Sequence, residues 1–201
     1  MSSRLVVLVS GTGTNLQSLL DACAEDDFGA RIVAVGADRP GTTAILRAQA
    51  AGVDTFELLP AEFTDRATWD AALTERVAAA QPDLVVLAGF MRLAGEAFLA
   101  RFGSRVVNTH PALLPAFPGM QAPRDAIEYG VKVTGATLFL VDSGVDTGAI
   151  VAQTVVPVED GDTDDTLHER IKVAERAMLV EQVGRMARNG FTINGRKVTV
   201  L

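Results

Sequence analysis

The chain has 201 residues, of which 48% are apolar, and it carries 18 basic against 25 acidic side chains for a net charge of -7. This length and apolar content predict one well-buried core, and the acidic balance argues against a nucleic-acid partner because it would repel a polyphosphate. The single cysteine excludes an internal disulfide and a cysteine-based metal cage, and no apolar run has membrane-spanning length. With no targeting pattern before the first apolar run, we expect a cytoplasmic protein with no membrane partner.

The first half of the sequence alternates short apolar runs with segments of helical spacing. The apolar runs, rich in branched side chains, are predicted as strands over residues 5–9, 32–35, 54–58 and 84–88. The segments between them are predicted as helices over residues 15–25, 42–51 and 65–80. Because strand and helix alternate, the fold class is predicted as α/β, with a doubly wound, mostly parallel, Rossmann-like sheet.

The second half departs from this alternation. Its predicted elements are a strand at 105–108, a proline-rich loop at 110–119, a helix at 122–129, two strands at 131–141 and 149–156, a long helix at 163–189 and a hairpin at 191–201. The two strand-like runs are joined by a turn-rich segment, which predicts an antiparallel part of the sheet. The long carboxyl-terminal helix, with one apolar stripe, is expected to lie along that sheet.

A glycine-rich turn, Ser10-Gly-Thr-Gly-Thr-Asn15, stands where the first predicted strand meets the first predicted helix. Its glycines let the backbone approach a ligand, and N–H groups at a helix start attract anions, so we expect a phosphomonoester there. A dinucleotide fingerprint would need a third glycine where this sequence has Leu16, and Asp38 is only a weak candidate for a ribose-binding acid. A plain tight turn, with Thr14 or Asn15 capping the helix, stays open.

The fifth predicted strand runs into Asn108-Thr109-His110, at the edge where open α/β sheets bind ligands. Residues two apart in extended backbone point to the same side, so an amide and an imidazole converge there and can form an oxyanion site. Asp146 lies on a glycine-flanked loop able to fold back over this strand end, where its carboxylate would favour the protonated form of His110. A structural histidine and an ordinary turn aspartate stay open as simpler interpretations.

Over nearly its whole length the sequence resembles the glycinamide ribonucleotide formyltransferases of purine synthesis, which use 10-formyltetrahydrofolate. The resemblance rests on four motifs in the family's order: Ser10-Gly-Thr-Gly-Thr-Asn-Leu-Gln17, Leu87-Ala-Gly-Phe-Met-Arg-Leu93, Asn108-Thr-His-Pro-Ala-Leu-Leu-Pro115 with Pro118-Gly119, and Val145-Asp-Thr-Gly148. It implies a single formyltransferase domain over residues 1–201, with a phosphoribosyl-binding half over about 1–100 and a folate-binding and catalytic half over about 101–201. The transfer needs no metal, the substrates are small molecules, and a monomer and a homodimer both stay open.

The resemblance also implies roles for individual residues. It assigns catalysis to Asn108, His110 and Asp146. It assigns glycinamide ribonucleotide binding to Gly13, Thr14, Asn15, Lys172, Val173, Ala174 and Glu175. It assigns folate binding to Arg66, Met91, Arg92, Leu93, Ala94, Asn108, Asp142, Ser143, Gly144, Val145 and Asp146.

These assignments agree with the chemistry of the side chains. Met91 and Leu93 can flank a flat heterocycle, although both could equally be core residues. Lys172 and Glu175 are three apart on a predicted helix, so they share a face where the carboxylate can hold the substrate ammonium. An ordinary surface pair at these two positions and a solvated Arg66 also stay open.

One segment departs from the family pattern. After Pro118-Gly119 the family usually has a histidine, and this sequence has Gln121 in that place. The following Ala122-Pro123 looks more like the loop of methionyl-tRNA formyltransferases, whose extra nucleic-acid-binding domain we do not expect in an acidic chain ending at Leu201. Two further functions stay open: a 10-formyltetrahydrofolate hydrolase, which passes the formyl group to water, and a non-catalytic folate or phosphate binder.

Overall fold

A seven-stranded sheet forms the centre of the computed structural model, which describes residues 2–201. The strands are β1 (Ser3–Val9), β2 (Ala30–Ala37), β3 (Thr55–Glu57), β4 (Leu84–Leu87), β5 (Val106–His110), β6 (Val133–Leu140) and β7 (Ile150–Pro157). Their order in the sheet is β3-β2-β1-β4-β5-β6-β7; the first five are mutually parallel, and β6 and β7 are each antiparallel to the strand before. The predicted α/β class, with a mostly parallel sheet and an antiparallel carboxyl-terminal part, is confirmed.

Helices cover both faces of the sheet. They are α1 (Thr14–Cys23), α2 (Thr43–Ala50), α3 (Arg66–Ala79), α4 (Glu96–Phe102), α5 (Ala122–Tyr129) and α6 (Asp164–Asn189), followed by a separate hairpin of β8 (Phe191–Asn194) and β9 (Lys197–Val200). The long helix α6 begins at a capping box between Thr163 and Thr166, which satisfies two backbone N–H groups at its start. It ends before Gly190, whose positive φ no longer continues a helix.

The core is divided into two layers by the central strand. Leu5, Val7 and Val9 of β1 face a layer that also contains side chains of α1, α2 and α6. Val6 and Leu8 face the other layer, with side chains of α3 and α4. All five of these side chains are completely buried. Both faces of β1 are therefore apolar, which explains the uninterrupted apolar run in the sequence.

Two local differences from the sequence prediction have simple causes. Helix α4 was not predicted, because seven residues with only two buried side chains, Phe98 and Phe102, give too little periodicity to recognise. Helix α1 ends at Cys23, two residues before the predicted end. Burial raises the pKa of the Cys23 thiol to about 11, so this side chain stays neutral near pH 7.

Parallel strands bring four chain segments to one edge of the sheet. Ser10 follows β1, Asp38 follows β2, Gly89 lies just beyond β4, and His110 ends β5. The carboxyl ends of parallel strands are where open α/β folds bind ligands. Within residues 2–201 no helix is long and apolar enough to cross a membrane. The same residues contain no group of three or more His, Cys, Asp or Glu side chains that could hold a metal ion.

Candidate functional site

The glycine-rich turn leaves the start of α1 open. Gly13 occupies the N-cap position in the left-handed conformation, with φ 72°, and no side chain caps the helix. The interpretation of Thr14 or Asn15 as a cap is therefore wrong: the Asn15 amide instead donates to Glu175 Oε1 at 2.6 Å. Backbone N–H groups of the first helical turn stay available, which is the arrangement that binds a phosphate.

The tight fit of this turn predicts a large effect of one methyl group. A Cβ at Gly13 would lie 2.6 Å from Ala44 Cβ and would require an alanine at φ +72°. We expect Gly13→Ala to lower the free energy of unfolding by about 2 kcal/mol or more, measured by urea denaturation. Gly11→Ala is the matched control, because a Cβ there meets no atom within 4 Å. Equal stability losses in the two variants would contradict this account.

His110 lies between two hydrogen-bond acceptors at the end of β5. Its side chain is almost completely buried, with Nδ1 3.4 Å from Asp146 Oδ2. Its Nε2 lies 2.7 Å from the carbonyl oxygen of Phe117. A carboxylate and a carbonyl both accept, so the doubly protonated imidazolium is the form that satisfies both contacts. Both ring nitrogens of His110 are therefore oriented toward hydrogen-bond acceptors.

The loop carrying Asp146 is fixed by its own hydrogen bonds. Asp142 accepts from the Gly144 N–H at 3.1 Å and from the Thr147 hydroxyl at 2.6 Å. The Arg196 guanidinium of the carboxyl-terminal hairpin donates to the Thr147 carbonyl at 2.9 Å. Asp146 itself has φ 54°, and its Oδ2 accepts the Gly119 N–H at 2.9 Å. The loop thus folds back over the strand end and links His110 to the proline-rich segment.

Beside this group lies a small cavity of about 40 Å³ that gathers most of the predicted folate-binding residues. Its lining consists of Leu87, Arg92, Leu93, Ala94, Asn108, Phe139, Val141, Asp142, Ser143, Gly144 and Asp146. Three predicted residues lie outside this lining. Met91 and Val145 are about half exposed, and Arg66 stacks on the ring of Trp69 while its guanidinium donates to the Leu93 carbonyl.

Glu175 connects the glycine-rich turn to β5. Its Oε1 accepts from Asn15 and also from the Thr109 hydroxyl, at 2.9 Å. The alternative of an ordinary surface pair at Lys172 and Glu175 is wrong, because Lys172 Nζ pairs with Glu169 at 2.7 Å while Glu175 points inward and is buried. Of the two residues between them, Val173 is exposed and Ala174 packs against the core.

Three polar residues of the site were missed or misread in the sequence. Asp38 is no ribose-binding acid, because its side chain is completely buried and its Oδ2 is 2.7 Å from Arg92 Nε. Ser10 accepts the backbone N–H of Met91 at 2.8 Å. Thr109, opposite Asn108 and His110 by strand alternation, was not singled out. Their positions directly at strand ends were the available signal.

The fold and the site together fit an α/β enzyme of group transfer, in which an Asn-His-Asp group lies close to a glycine-rich turn with an uncapped helix start. The chain belongs to the formyl transferase family, whose model matches residues 3–183.

The chain is similar over most of its length to several proteins of this family. The chain is 57% identical over 198 residues to the phosphoribosylglycinamide formyltransferase of Mycobacterium tuberculosis (strain ATCC 25618 / H37Rv), which covers 98% of this chain and 91% of the relative. It is 36% identical over 174 residues to the Escherichia coli (strain K12) protein of the same name, covering 87% and 82%. The crystal structure of glycinamide ribonucleotide transformylase 1 from Symbiobacterium toebii has a TM-score of 0.96 at 45% identity, covering 100% of this chain and 94% of that one.

Proposed function

We propose that this formyl transferase moves the formyl group of 10-formyltetrahydrofolate to the amine of glycinamide ribonucleotide, a step of de novo purine synthesis. The observation that carries the proposal is the His110–Asp146 pair, with Nδ1 3.4 Å from Oδ2, on the same side of β5 as Asn108. These three groups lie close to the glycine-rich turn on one side and border the small cavity on the other. The proposal also includes small-molecule substrates, a cytoplasmic location, and a monomer or homodimer as the active form.

The chemistry needs one bond formed, one bond broken and one proton moved. The neutral amine attacks the formyl carbon, and the resulting oxyanion accepts hydrogen bonds from the Asn108 amide and the His110 imidazolium. The carbon–nitrogen bond to N10 of the folate then breaks while N10 gains a proton from His110. The proton lost by the amine returns the histidine to its charged form, directly or through a water at Asp146.

In this mechanism the contact between His110 and Phe117 must open. His110 Nε2 donates to the Phe117 carbonyl in the structure, and Nδ1 faces Asp146. The formyl oxygen can accept a hydrogen bond from Nε2 only by replacing that carbonyl. We therefore assign to the segment of residues 111–119 a shift that accompanies substrate binding.

The ribonucleotide end of the site is separate from the transfer centre. The phosphate binds the open N–H groups of Gly13, Thr14 and Asn15. Glu175 shares a hydrogen bond with Asn15, so we assign it, with the neighbouring turn of α6 from Lys172, to the same substrate. The folate binds between residues 91–94 and the loop of Asp142 to Asp146, where exposed apolar side chains flank a flat ring.

The test is an absorbance assay for release of tetrahydrofolate, or of its deaza analogue, from the 10-formyl donor with and without glycinamide ribonucleotide. We expect release that depends strictly on the ribonucleotide. Release without any amine would replace the proposal by a hydrolase that uses water. If no tetrahydrofolate is released under either condition, the chain uses another acceptor or only binds its ligands.

A further inference from the structure

Asp38 is a buried carboxylate that the transfer chemistry itself does not use. It directly follows β2, and its side chain has no exposed surface. Its Oδ2 lies 2.7 Å from Arg92 Nε, and its Oδ1 lies 3.4 Å from Arg39 Nε. Oδ1 has no hydrogen-bond partner among the residues that the structure describes. The strongest contact of Asp38 is thus with a residue that lines the small cavity.

The segment that contains Arg92 is also held through its backbone. The N–H of Met91 donates to the Ser10 hydroxyl at 2.8 Å. Ser10 follows β1, which lies between β2 and β4 in the sheet, so Asp38, Ser10 and Met91 follow three neighbouring strands. Residues 91 and 92 are therefore fixed at two points, one through the backbone and one through the Arg92 side chain.

Stability alone does not account for this arrangement. Burial by itself would raise the pKa of Asp38, but the Ser10 hydroxyl, the hydrogen bond from Arg92 and the charges of Arg39 and Arg92 outweigh it and place the pKa below its ordinary value. The carboxylate is therefore ionised near neutral pH. Removing the Asp38 carboxylate from water costs hydration free energy, and an ion pair with a partly exposed arginine seldom offsets that cost fully. A role in fixing the geometry of Arg92 explains it better.

The orientation of Arg92 matters because this side chain lines the small cavity. Its side chain is 38% exposed, and it lines the cavity together with Asn108 and the loop of Asp142 to Asp146. Asp38 takes the Nε–H and so fixes the guanidinium plane, while the two Nη groups are not engaged by Asp38. A fixed guanidinium presents these groups to an acceptor at lower entropic cost than a free one.

We propose that Asp38 is a positioning residue for the folate cosubstrate, acting by holding Arg92 and residues 91–94 in the geometry that binds it. This inference rests on the proposed function, because it takes the cavity beside Arg92 as the folate site. Asp38 does not touch the reacting atoms. Its removal should therefore change the binding of one substrate and leave the chemical step nearly intact.

The central variant is Asp38→Asn, which keeps the volume and removes the charge. We expect the KM for the 10-formyl donor to rise about 10-fold, the size of one lost hydrogen bond to a charged group. The KM for glycinamide ribonucleotide and kcat should each stay within about threefold. Ser10→Ala, which removes only the hydroxyl under Met91, should raise the donor KM in the same direction and serves if the first variant is unstable.

Two further variants separate positioning from general damage. Asp162→Asn breaks a comparable pair, in which Arg170 contacts both oxygens at 2.8 Å near the start of α6, and should leave both KM values unchanged. If Asp38 acts through Arg92, the double variant Asp38→Asn with Arg92→Lys should bind the donor about as weakly as Arg92→Lys alone. Full additivity, equal rises in both KM values, or a normal donor KM in folded Asp38→Asn would overturn the inference.

A binding measurement keeps this test independent of turnover. Trp69 is the only tryptophan, and it lies against Phe90 with Arg66 over its ring, next to residues 91–94. Titrating tetrahydrofolate against its fluorescence should give a Kd about 10-fold higher for Asp38→Asn than for the unchanged chain. If the unchanged chain binds tetrahydrofolate but shows no ribonucleotide-dependent transfer, the proposed function fails, while the fluorescence comparison still decides the role of Asp38.

Discussion

Replacing His110 with alanine is expected to lower kcat for formyl transfer by about 1000-fold, because the variant loses an oxyanion donor and the general acid together. The contacts of this residue support the size of the effect. Its Nδ1 lies 3.4 Å from a carboxylate oxygen and its Nε2 lies 2.7 Å from a carbonyl, so both ring nitrogens face hydrogen-bond acceptors. The measurement is steady-state turnover at saturating concentrations of both substrates.

The fold of this variant must be checked at the assay temperature. His110 is only 4% exposed, and its removal takes the hydrogen bond from the Phe117 carbonyl, whereas the Asp146 carboxylate keeps the Gly119 N–H as a donor. An unsatisfied buried polar group costs about 1–3 kcal/mol, so some loss of stability is expected together with the loss of turnover. His110→Asn, which retains one donor, should fold better and still turn over slowly.

The second histidine of the chain supplies the control. His168 lies on α6, and its imidazole makes no contact with Asp146. We expect His168→Ala to keep kcat within about twofold of the unchanged enzyme. A folded His110→Ala with near-normal turnover would remove this residue from the mechanism and leave electrostatics from Asn108 as the main contribution.

The sequence could predict the sheet and most helices because their signals are local. The apolar run of β1 is buried on both faces, and the strand runs from Ser3 to Val9 around the predicted 5–9. Helix α6 lies within one residue of its prediction because Thr163 and Gly190 mark its two ends. By contrast, α4 has too few buried positions for its period to be visible, and it forms because Phe98 and Phe102 pack under α3.

The site could be predicted only where strand geometry alone decides it. Alternation along β5 puts Asn108 and His110 on one side whatever the rest of the fold does. The hydrogen-bond partners of His110 and Glu175 depend instead on how loops and helices pack around β5. Phe117, whose carbonyl contacts His110, has φ 52°. No sequence pattern predicts this backbone conformation. Spacing on α6 shows that Lys172 and Glu175 are neighbours, but only packing shows that Glu175 turns inward.

The glycine-rich turn shows the same limit. Its composition predicts a backbone that can approach a ligand, but it does not show that Gly13 also lies against Ala44 of α2. The contact between Asp38 and Arg92 could not be predicted from the sequence. A carboxylate after the second strand suggests a ribose ligand in one family of α/β folds, whereas here Arg92 from a distant segment occupies it.

Replacing Asp146 with asparagine is expected to lower kcat by about 100-fold or more while the fold survives. The asparagine oxygen can still accept the Gly119 N–H, which lies 2.9 Å from Asp146 Oδ2, so the loop should keep its path. What the variant loses is the negative charge 3.4 Å from His110 Nδ1. Without that charge, nothing compensates the positive charge that His110 carries when it donates to the oxyanion and to the leaving nitrogen, so the barrier to transfer rises.

This cause gives Asp146→Asn a signature that simple misfolding lacks. The variant should keep the circular dichroism spectrum and the urea denaturation midpoint of the unchanged enzyme, because the Gly119 contact remains, while its kcat falls about 100-fold or more. Asp160→Asn, at a side chain that is 98% exposed, is the matched control and should give a normal rate. A folded Asp146→Asn with a near-normal rate would show that the carboxylate charge beside His110 is not needed for transfer.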